Sequence, residues 1–490
     1  MNSDEFRRFG HRLIDWIADY RATIAERPVM SQAQPGSVRA ALPQAPPEQP
    51  ESFDAVLSDL ERIVMPGLSH WQHPSFFAYF PSNSDLSSVL GDYISAGLGV
   101  LGLSWQSSPA LTELEEVVVG WVRQMIGLSP AWQGVIQDSA STSTLVALVC
   151  ARERTRATKS APLVVYASAE GHSSVAKAAL IAGLGDGVRQ IPTDAEHAMR
   201  PDALAAAVKG DVDRGLVPCA IVATTGTTAS TAVDPLGPIA RVAREHEAWL
   251  HVDAAMAGSA MILPECRWMW QGVEQADSVV LNPHKWLGAA FDCSLYFMRD
   301  AEHLVRVLST SPSYLRTGND GQVSNLRDWG IPLGRRFRAL KLWCLIREQG
   351  VEGLQRRLRR DIENAQWLAT QVRAASHWRV VAPVPLQTVC VRHEPPGLDG
   401  EALDDHTLAW IDRVNRSGAA YLTPAMLDGR WVARVSVGGI GTERPHVEAL
   451  WSLLRREVKA DGVASARPGS TVTAALSGRS DQKSPRNSVR

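Results

Sequence analysis

The stretch "SVVLNPHKWLGAAFDCSLYF", residues 278–297, sets one basic side chain between two apolar runs. The first run, 278–282, is short and β-rich, the pattern of a buried strand; the second covers 295–298. Lys285 lies between them. The chain has 7 lysines against 43 arginines, and the other six (Lys159, Lys177, Lys209, Lys341, Lys459, Lys483) stand in polar surroundings or on expected helix faces. A lysine facing apolar walls loses hydration, so its ammonium form is disfavoured and its pKa falls. The neutral amine is then a nucleophile able to form a Schiff base. Taken alone, the position is better explained by a strand-end lysine whose head reaches water.

The neighbouring sequence supplies the context. From about residue 86 to 301, helical patterns alternate with the apolar runs "LVVYAS" (163–168), "CAIVATT" (219–225), "AWLHVD" (248–253) and "SVVLN" (278–282). Runs of this kind read as buried parallel strands. Their alternation with helices predicts a layered α/β domain that binds ligands at the carboxyl ends of its strands. "GLGVLG" (97–102) fits a dinucleotide fingerprint, but a helical pattern precedes it where a strand is required, so it is set aside.

Each strand end carries a polar group. Asp253 closes "HVD", where a carboxylate could hold a proton on a pyridine nitrogen; a capping aspartate is the ordinary alternative. "DSAST" (138–142) precedes a helix whose first N–H groups could receive a phosphate, or it is a plain N-cap. His172 in "AEGHSSVAKAA" could lie flat on an aromatic ring, or be a structural histidine. Thr228 in "TTGTTAS" could add a hydroxyl, or be a loop residue. With Lys285 these make five weak signals, and their occurrence in order on one α/β pattern is what gives them weight.

Outside this region, residues 1–27 predict an amphipathic helix with Phe6, Phe9, Leu13, Trp16 and Ile17 on one face. The proline-rich 28–51 is a connector, and a short helix follows near 53–64. Residues 337–374 predict helix, and 378–456 a smaller α+β unit with strands in "LQTVCVRH" and "RWVARVSVG". The basic run "RRLRRD" (356–361) is expected to be a solvated helix face rather than a nucleic-acid site. The expected division is 1–85 as an N-terminal helical segment, 86–343 as the large domain and 344–460 as the small domain. The tail 461–490, rich in Ser, Arg, Gly and Thr, is expected to be disordered.

Composition narrows the class. Of 490 residues, 45% are hydrophobic and 21% charged, as in a globular enzyme, and the net charge of −2 exerts no general pull on nucleic acid or anionic membrane. No apolar run reaches the ~18–20 residues of a membrane span. Six scattered cysteines without a CxxC pair suggest neither zinc nor disulfides, and a reducing cytoplasm is the expected compartment.

"NPHKW", "HVDAAMAG", "SASTSTLVAL", "GHSSVAKA", "SPSYLRT" and "IPLGRRFRALKLW" together resemble the group II pyridoxal-phosphate decarboxylases. Within that family the resemblance is to aromatic L-amino-acid decarboxylases, particularly bacterial enzymes acting on DOPA and related substrates. It extends over about residues 1–458. It implies a dimer of the PLP-dependent transferase fold type I, with a large domain on a mostly parallel sheet, a small α+β domain and a helical N-terminal segment that clasps the partner. It implies pyridoxal 5'-phosphate on Lys285, Asp253 against the pyridinium nitrogen, His172 on one ring face and Ala255 on the other. Ala140, Ser141, Asn282 and His284 are implied as phosphate ligands, with Thr228 completing the cofactor pocket. Tyr314 is implied in returning a proton to Cα. Trp71, Tyr79, Phe80, Pro81, Ser82, Leu103, His172 and Gly334 are implied around the substrate, in a pocket that the partner completes.

Some positions depart from the family's animal members, with Leu103 in place of the usual phenylalanine and Met256 in place of a frequent tyrosine. Gly334 stands where plant relatives with glycine favour indolic substrates. Aldehyde synthases of the family often replace the loop tyrosine or the stacking histidine, and this chain keeps Tyr314 and His172. The aromatic "FFAYFP" argues against a glutamate decarboxylase, and the presence of Lys285 against a non-catalytic relative.

Overall fold

The computed structural model describes residues 1–310 and 321–459. Its central sheet has seven strands: β1 (Gln133–Gln137), β2 (Leu163–Ser168), β3 (Val188–Ile191), β4 (Val217–Thr224), β5 (Trp249–Asp253), β6 (Ser278–Leu281) and β7 (Ser294–Met298). Their order is β1-β7-β6-β5-β4-β2-β3. The strands from β6 to β3 run parallel, and β7 is antiparallel to both β6 and β1. The four strands expected from the apolar runs are therefore β2, β4, β5 and β6, all parallel. β1 and β3 were not expected; each has partly or fully exposed residues and lies at a sheet edge, which blurs its apolar signal.

Successive residues of β2 and β4 point to opposite faces, as pleating requires. Val164, Tyr166, Ile221 and Ala223 enter one core with Leu204, Val208 and Ile239 from the helices Pro201–Asp213 and Leu236–Glu245. Val165, Ala167, Ala220 and Val222 enter the other, with Val146, Ala147 and Cys150 from the helix Ala140–Arg156. Burial on both faces explains why these strands read as continuous apolar runs rather than alternating ones.

A second, antiparallel sheet contains β8 (Trp378–Val380), β9 (Thr388–His393), β10 (Thr423–Leu427) and β11 (Arg430–Ser436) in the order β10-β11-β9-β8. Its core takes Trp410, Ile411 and Val414 from the helix Gly400–Arg416, and Val447, Leu450 and Leu454 from Arg444–Glu457. The long helix Arg338–Ala374 serves both cores, and it breaks at Gly350, where φ is 62° and ψ 167°.

At the N-terminus, the helix Ser3–Thr23 starts with a capping box between Asn2 and Glu5. Its expected apolar face is split: Phe9 is buried, while Phe6 is 55% exposed. The helix Leu86–Leu98 likewise exposes Leu86, Leu90, Ile94 and Leu98, one stripe at a spacing of four. Among the described residues, no helix is long and apolar enough to cross a membrane. Tyr314 and the tail 461–490 lie outside the described residues.

Candidate active site

Three strand-end loops converge beyond the carboxyl edge of the sheet. β5 ends on Asp253, which is buried and accepts a hydrogen bond at Oδ1 from the Ala255 N–H over 3.0 Å. The Ala255 carbonyl in turn accepts from Asn282 N at 2.9 Å, and Asp253 O from Thr225 N at 2.9 Å, so the ends of β4, β5 and β6 are tied together. The chain then turns through Pro283–Leu287. Lys285 breaks the helical geometry of that turn with φ −96° and ψ −108°, and Gly288 follows in the left-handed region at φ 105°.

The Lys285 amine lies 5.3 Å from the centroid of the Phe80 ring. Burial pulls its pKa below the ordinary lysine value; Asp253 opposes that shift and Arg434 reinforces it. Lys341, expected in polar surroundings or on a helix face, is fully buried, beside Asp92 at 3.2 Å. It lies at the packing of its helix against Leu86–Leu98, where Gly91 leaves room for the Lys341 backbone.

Groups able to meet an anion lie at one helix start and on either side of Lys285 in the chain. Ser139 caps the helix Ala140–Arg156 by accepting the Thr142 N–H at 3.2 Å, which leaves the N–H groups of Ala140 and Ser141 at the open helix start. Asn282 is buried, and its Oδ1 has no partner among the described residues. His284 Nδ1 accepts the Cys293 N–H at 2.9 Å, so a neutral His284 carries its proton on Nε2 and presents it as a donor. Burial, with the Lys285 cation next, holds its pKa down to about 4, so it is neutral at pH 7.

His172 is set in the same way. The Ser174 N–H donates to its Nδ1 over 3.1 Å, placing the proton of the neutral ring on Nε2. Burial lowers its pKa, while Asp253 and Lys285 act on it with opposite signs, which puts its ring within reach of both charges. Thr228 lies on the loop after β4. With Tyr79, Glu170, Gly171, Thr423 and Arg434 it lines a cleft of about 310 Å³.

The aromatic segment forms the opposite wall. Tyr79 stacks on Trp71 with centroids 5.4 Å apart, and Phe80 faces Lys285. Pro81 packs near Gly438, and the Ser82 carbonyl accepts from Gln72 at 2.7 Å. Leu103 and Gly334 belong to a different stretch, where Gly102 N donates to Arg335 O at 2.9 Å and Leu101 is 58% exposed. A side chain at Gly334 would meet Leu101 at 3.6 Å, an ordinary contact.

Sequence reasoning missed two groups. Arg434 comes from the middle of β11, in an alternating strand that looked purely structural, and its guanidinium carbon lies 4.2 Å from the Phe80 centroid. The run 356–361 is not simply a solvated face. Arg357 donates to the carbonyls of Trp286 and Leu287 at 2.8 and 2.6 Å, and Asp361 accepts the Trp286 indole N–H. The only available signal was Asp361 falling in register with Leu354, Leu358 and Ala365 on the buried stripe.

A desolvated lysine with a buried carboxylate and a neutral imidazole in electrostatic reach, together with a helix start that offers free N–H groups, defines a class: enzymes that carry a phosphorylated pyridine aldehyde on lysine. The donors at Ala140, Ser141 and His284 fit its phosphate, and the buried Asp253 fits its ring nitrogen; of Asn282 only the amide N–H, not the unpartnered Oδ1, could join them. The profile described as "Pyridoxal-dependent decarboxylase conserved domain" matches residues 35–394. The chain belongs to this family, and its cofactor is pyridoxal 5'-phosphate. Tryptophan decarboxylase 2 of Oryza sativa subsp. japonica is 42% identical over 472 residues, 93% of this chain and 95% of that protein. Phenylacetaldehyde synthase of Arabidopsis thaliana is 42% identical over 474 residues, 93% of this chain and 96% of that protein. The crystal structure of Oryza sativa TDC with PLP and tryptamine superposes with a TM-score of 0.92 at 36% identity, covering 94% of this chain and 99% of that one. These are plant proteins, so the expected bacterial grouping finds no support in them.

Proposed function

We propose that this enzyme decarboxylates aromatic L-amino acids to the corresponding amines and carbon dioxide. The observation that carries the reading is the apposition of Lys285 to Phe80 in a wall built from Trp71, Tyr79 and Phe80, where an aromatic side chain would stack.

When bound, the cofactor supplies an aldehyde for the substrate amine and a protonated ring that takes up the electron pair left by carbon dioxide. The protein residues do the rest. Lys285, whose ammonium form burial disfavours, would hold the cofactor and be displaced by the substrate amine. Asp253 holds the proton on the ring nitrogen, without which the ring is a poor acceptor. His172, neutral, and Ala255 would hold the ring between them. Ala140, Ser141, Asn282 and His284 bind the phosphate, and Thr228 closes the pocket. Tyr314 returns a proton to Cα. Trp71, Tyr79, Phe80, Pro81 and Ser82 bind the aromatic side chain and exclude water from it.

We also infer a homodimer. The exposed stripe Leu86, Leu90, Ile94 and Leu98, with Phe6 and Ile14 of the first helix, is too apolar a surface to leave in water. The exposed stretch carrying Leu101, Leu103 and Gly334 would then complete the partner's pocket. All six cysteines are free thiols, which suits a cytoplasmic location.

A second reading, an aldehyde synthase, is favoured by the equal identity to phenylacetaldehyde synthase and opposed by the presence of Tyr314 and His172. Incubating the enzyme with DOPA, tyrosine, phenylalanine, tryptophan and 5-hydroxytryptophan, and measuring carbon dioxide, amine, aldehyde and peroxide, separates the two. Amine without peroxide supports the decarboxylase; stoichiometric aldehyde and peroxide would reverse the assignment.

A further inference from the structure

Arg434 leaves β11 with its guanidinium among groups from three parts of the chain, and only 3% of the residue is exposed. Its Nε donates to the Ala229 carbonyl at 3.2 Å and its Nη1 to the Tyr79 carbonyl, while Nη2 has no partner among the described residues. A buried cation with an unused donor is costly, so its retention points to a use for the charge. Burial lowers its pKa to about 10, which still leaves it cationic at neutral pH.

What Arg434 faces is Phe80. The guanidinium carbon is 4.2 Å and the Lys285 nitrogen 5.3 Å from the same ring centroid, so the arginine and the lysine amine share one aromatic ring. The segment is pinned on either side of that contact. Tyr79 sits at φ 50°, its N–H donates to Thr423 Oγ1 at 3.1 Å, and its hydroxyl lies 3.3 Å from that of Tyr421. The other charge acting on Lys285 is Asp253, of opposite sign, and the imidazoles of His172 and His284 lie within electrostatic reach of the lysine.

We propose that Arg434 is a positioning residue for the reaction: it locks Phe80 over the Lys285 amine and sets a fixed positive charge against the same nitrogen. The small sheet thereby acts on the reacting lysine of the large one. A fixed like charge disfavours any proton on the Lys285 nitrogen, whether it is free or joined to the cofactor. The fork of Arg434 is needed for the two carbonyls, and its charge for the lysine.

The test is a pH titration of the cofactor absorbance band in the holoenzyme, with KM and kcat, for wild type and Arg434→Met, Arg434→Gln and Arg434→Lys. The titration midpoint is expected to rise by about one pH unit in the Met and Gln variants. Arg434→Lys keeps the charge without the fork, so its midpoint should stay near wild type while KM rises. An unmoved midpoint in both neutral variants overturns the inference, as does loss of the band in all three, which would make the residue only structural. The inference rests on Lys285 carrying the cofactor. If that reading failed, borohydride would fix the pyridoxyl group elsewhere in the wild type; if only the present inference fails, that label stays on Lys285.

Discussion

The indole N–H of Trp286 donates to Asp361 Oδ2 over 2.9 Å, and both residues are completely buried. Trp286 is the residue after Lys285, so the carboxylate fixes the backbone turn that aims the amine. Arg360 extends the link by donating to Asp361 Oδ1 and to the carbonyl of Ile440. The small domain's Gly438 to Glu443 segment is thus coupled to the lysine turn. Trp286→Phe removes part of the buried ring and the donor to Asp361 Oδ2, leaving Arg360 on Oδ1, which should cost about 1–3 kcal/mol. Denaturant melts of the holoenzyme check this, with faster cofactor loss on dialysis as the accompanying sign.

Asp361 also sets a pH dependence. Burial raises its carboxyl from 3.8 to about 6, so the fold prefers it protonated. A raised folded-state pKa contributes stability that is present below about pH 4 and lost as pH rises through about 6. Asp361→Asn keeps an acceptor for Trp286 without that titration. Its stability deficit relative to wild type should therefore shrink between pH 4 and 6 and stay level above 7. A deficit independent of pH across that range would contradict the assignment.

The buried histidines act with the opposite sign. His251 and His284 are both held at about 4, against an ordinary 6.5, with burial as the main cause. Folded-state values below the unfolded ones mean stability that is present above pH 6.5 and lost as pH falls toward 4. Acid unfolding should thus begin below about pH 6. His251→Asn should flatten that loss by roughly one histidine's share, on the order of 3 kcal/mol by pH 4. Thermal melts at half-unit pH steps give the comparison.

Borohydride reduction of the holoenzyme should fix the pyridoxyl group on Lys285, and Lys285→Ala should turn over no substrate. Lys341 supplies the internal control, being buried but beside Asp92 rather than Phe80. Peptide mapping that found the label on Lys341 would remove the central assignment.

Tyr314→Phe should shift products from amine toward aldehyde, ammonia and peroxide. A positioned acid is typically worth ~10²–10⁴-fold in proton transfer, and a slower return of the proton to Cα gives oxygen time to compete. An unchanged amine-to-aldehyde ratio under air would leave Tyr314 without that role.

The paired substitution Leu90→Glu with Ile94→Glu should release monomers. Each leucine-sized side chain buried in an interface is worth roughly 1.5–3 kcal/mol, and two carboxylates there are costlier still. Sedimentation at micromolar protein measures the outcome, and an intact dimer in this variant would place the interface elsewhere.

The sequence by itself determined the parallel strands β2, β4, β5 and β6, and the residues at or just beyond their ends. Continuous apolar runs and the polar residues that stop them are local patterns, readable without knowing what they pack against. Asp253 and Lys285 were legible for that reason, and motif resemblance supplied their chemistry. Only the tertiary structure decided that Arg434 meets Phe80, that Asp361 holds Trp286 and that Lys341 is buried. Arg434 bonds to Tyr79 across 355 positions, through the packing of the small sheet against the segment around Phe77. Asp361 and Lys341 occupy helix positions whose polar identity predicts exposure, and the partners that bury them come from elsewhere in the chain. Periodicity reports which face of an element is apolar; it carries no record of which distant element meets that face, and buried polar pairs exist only once that meeting is made.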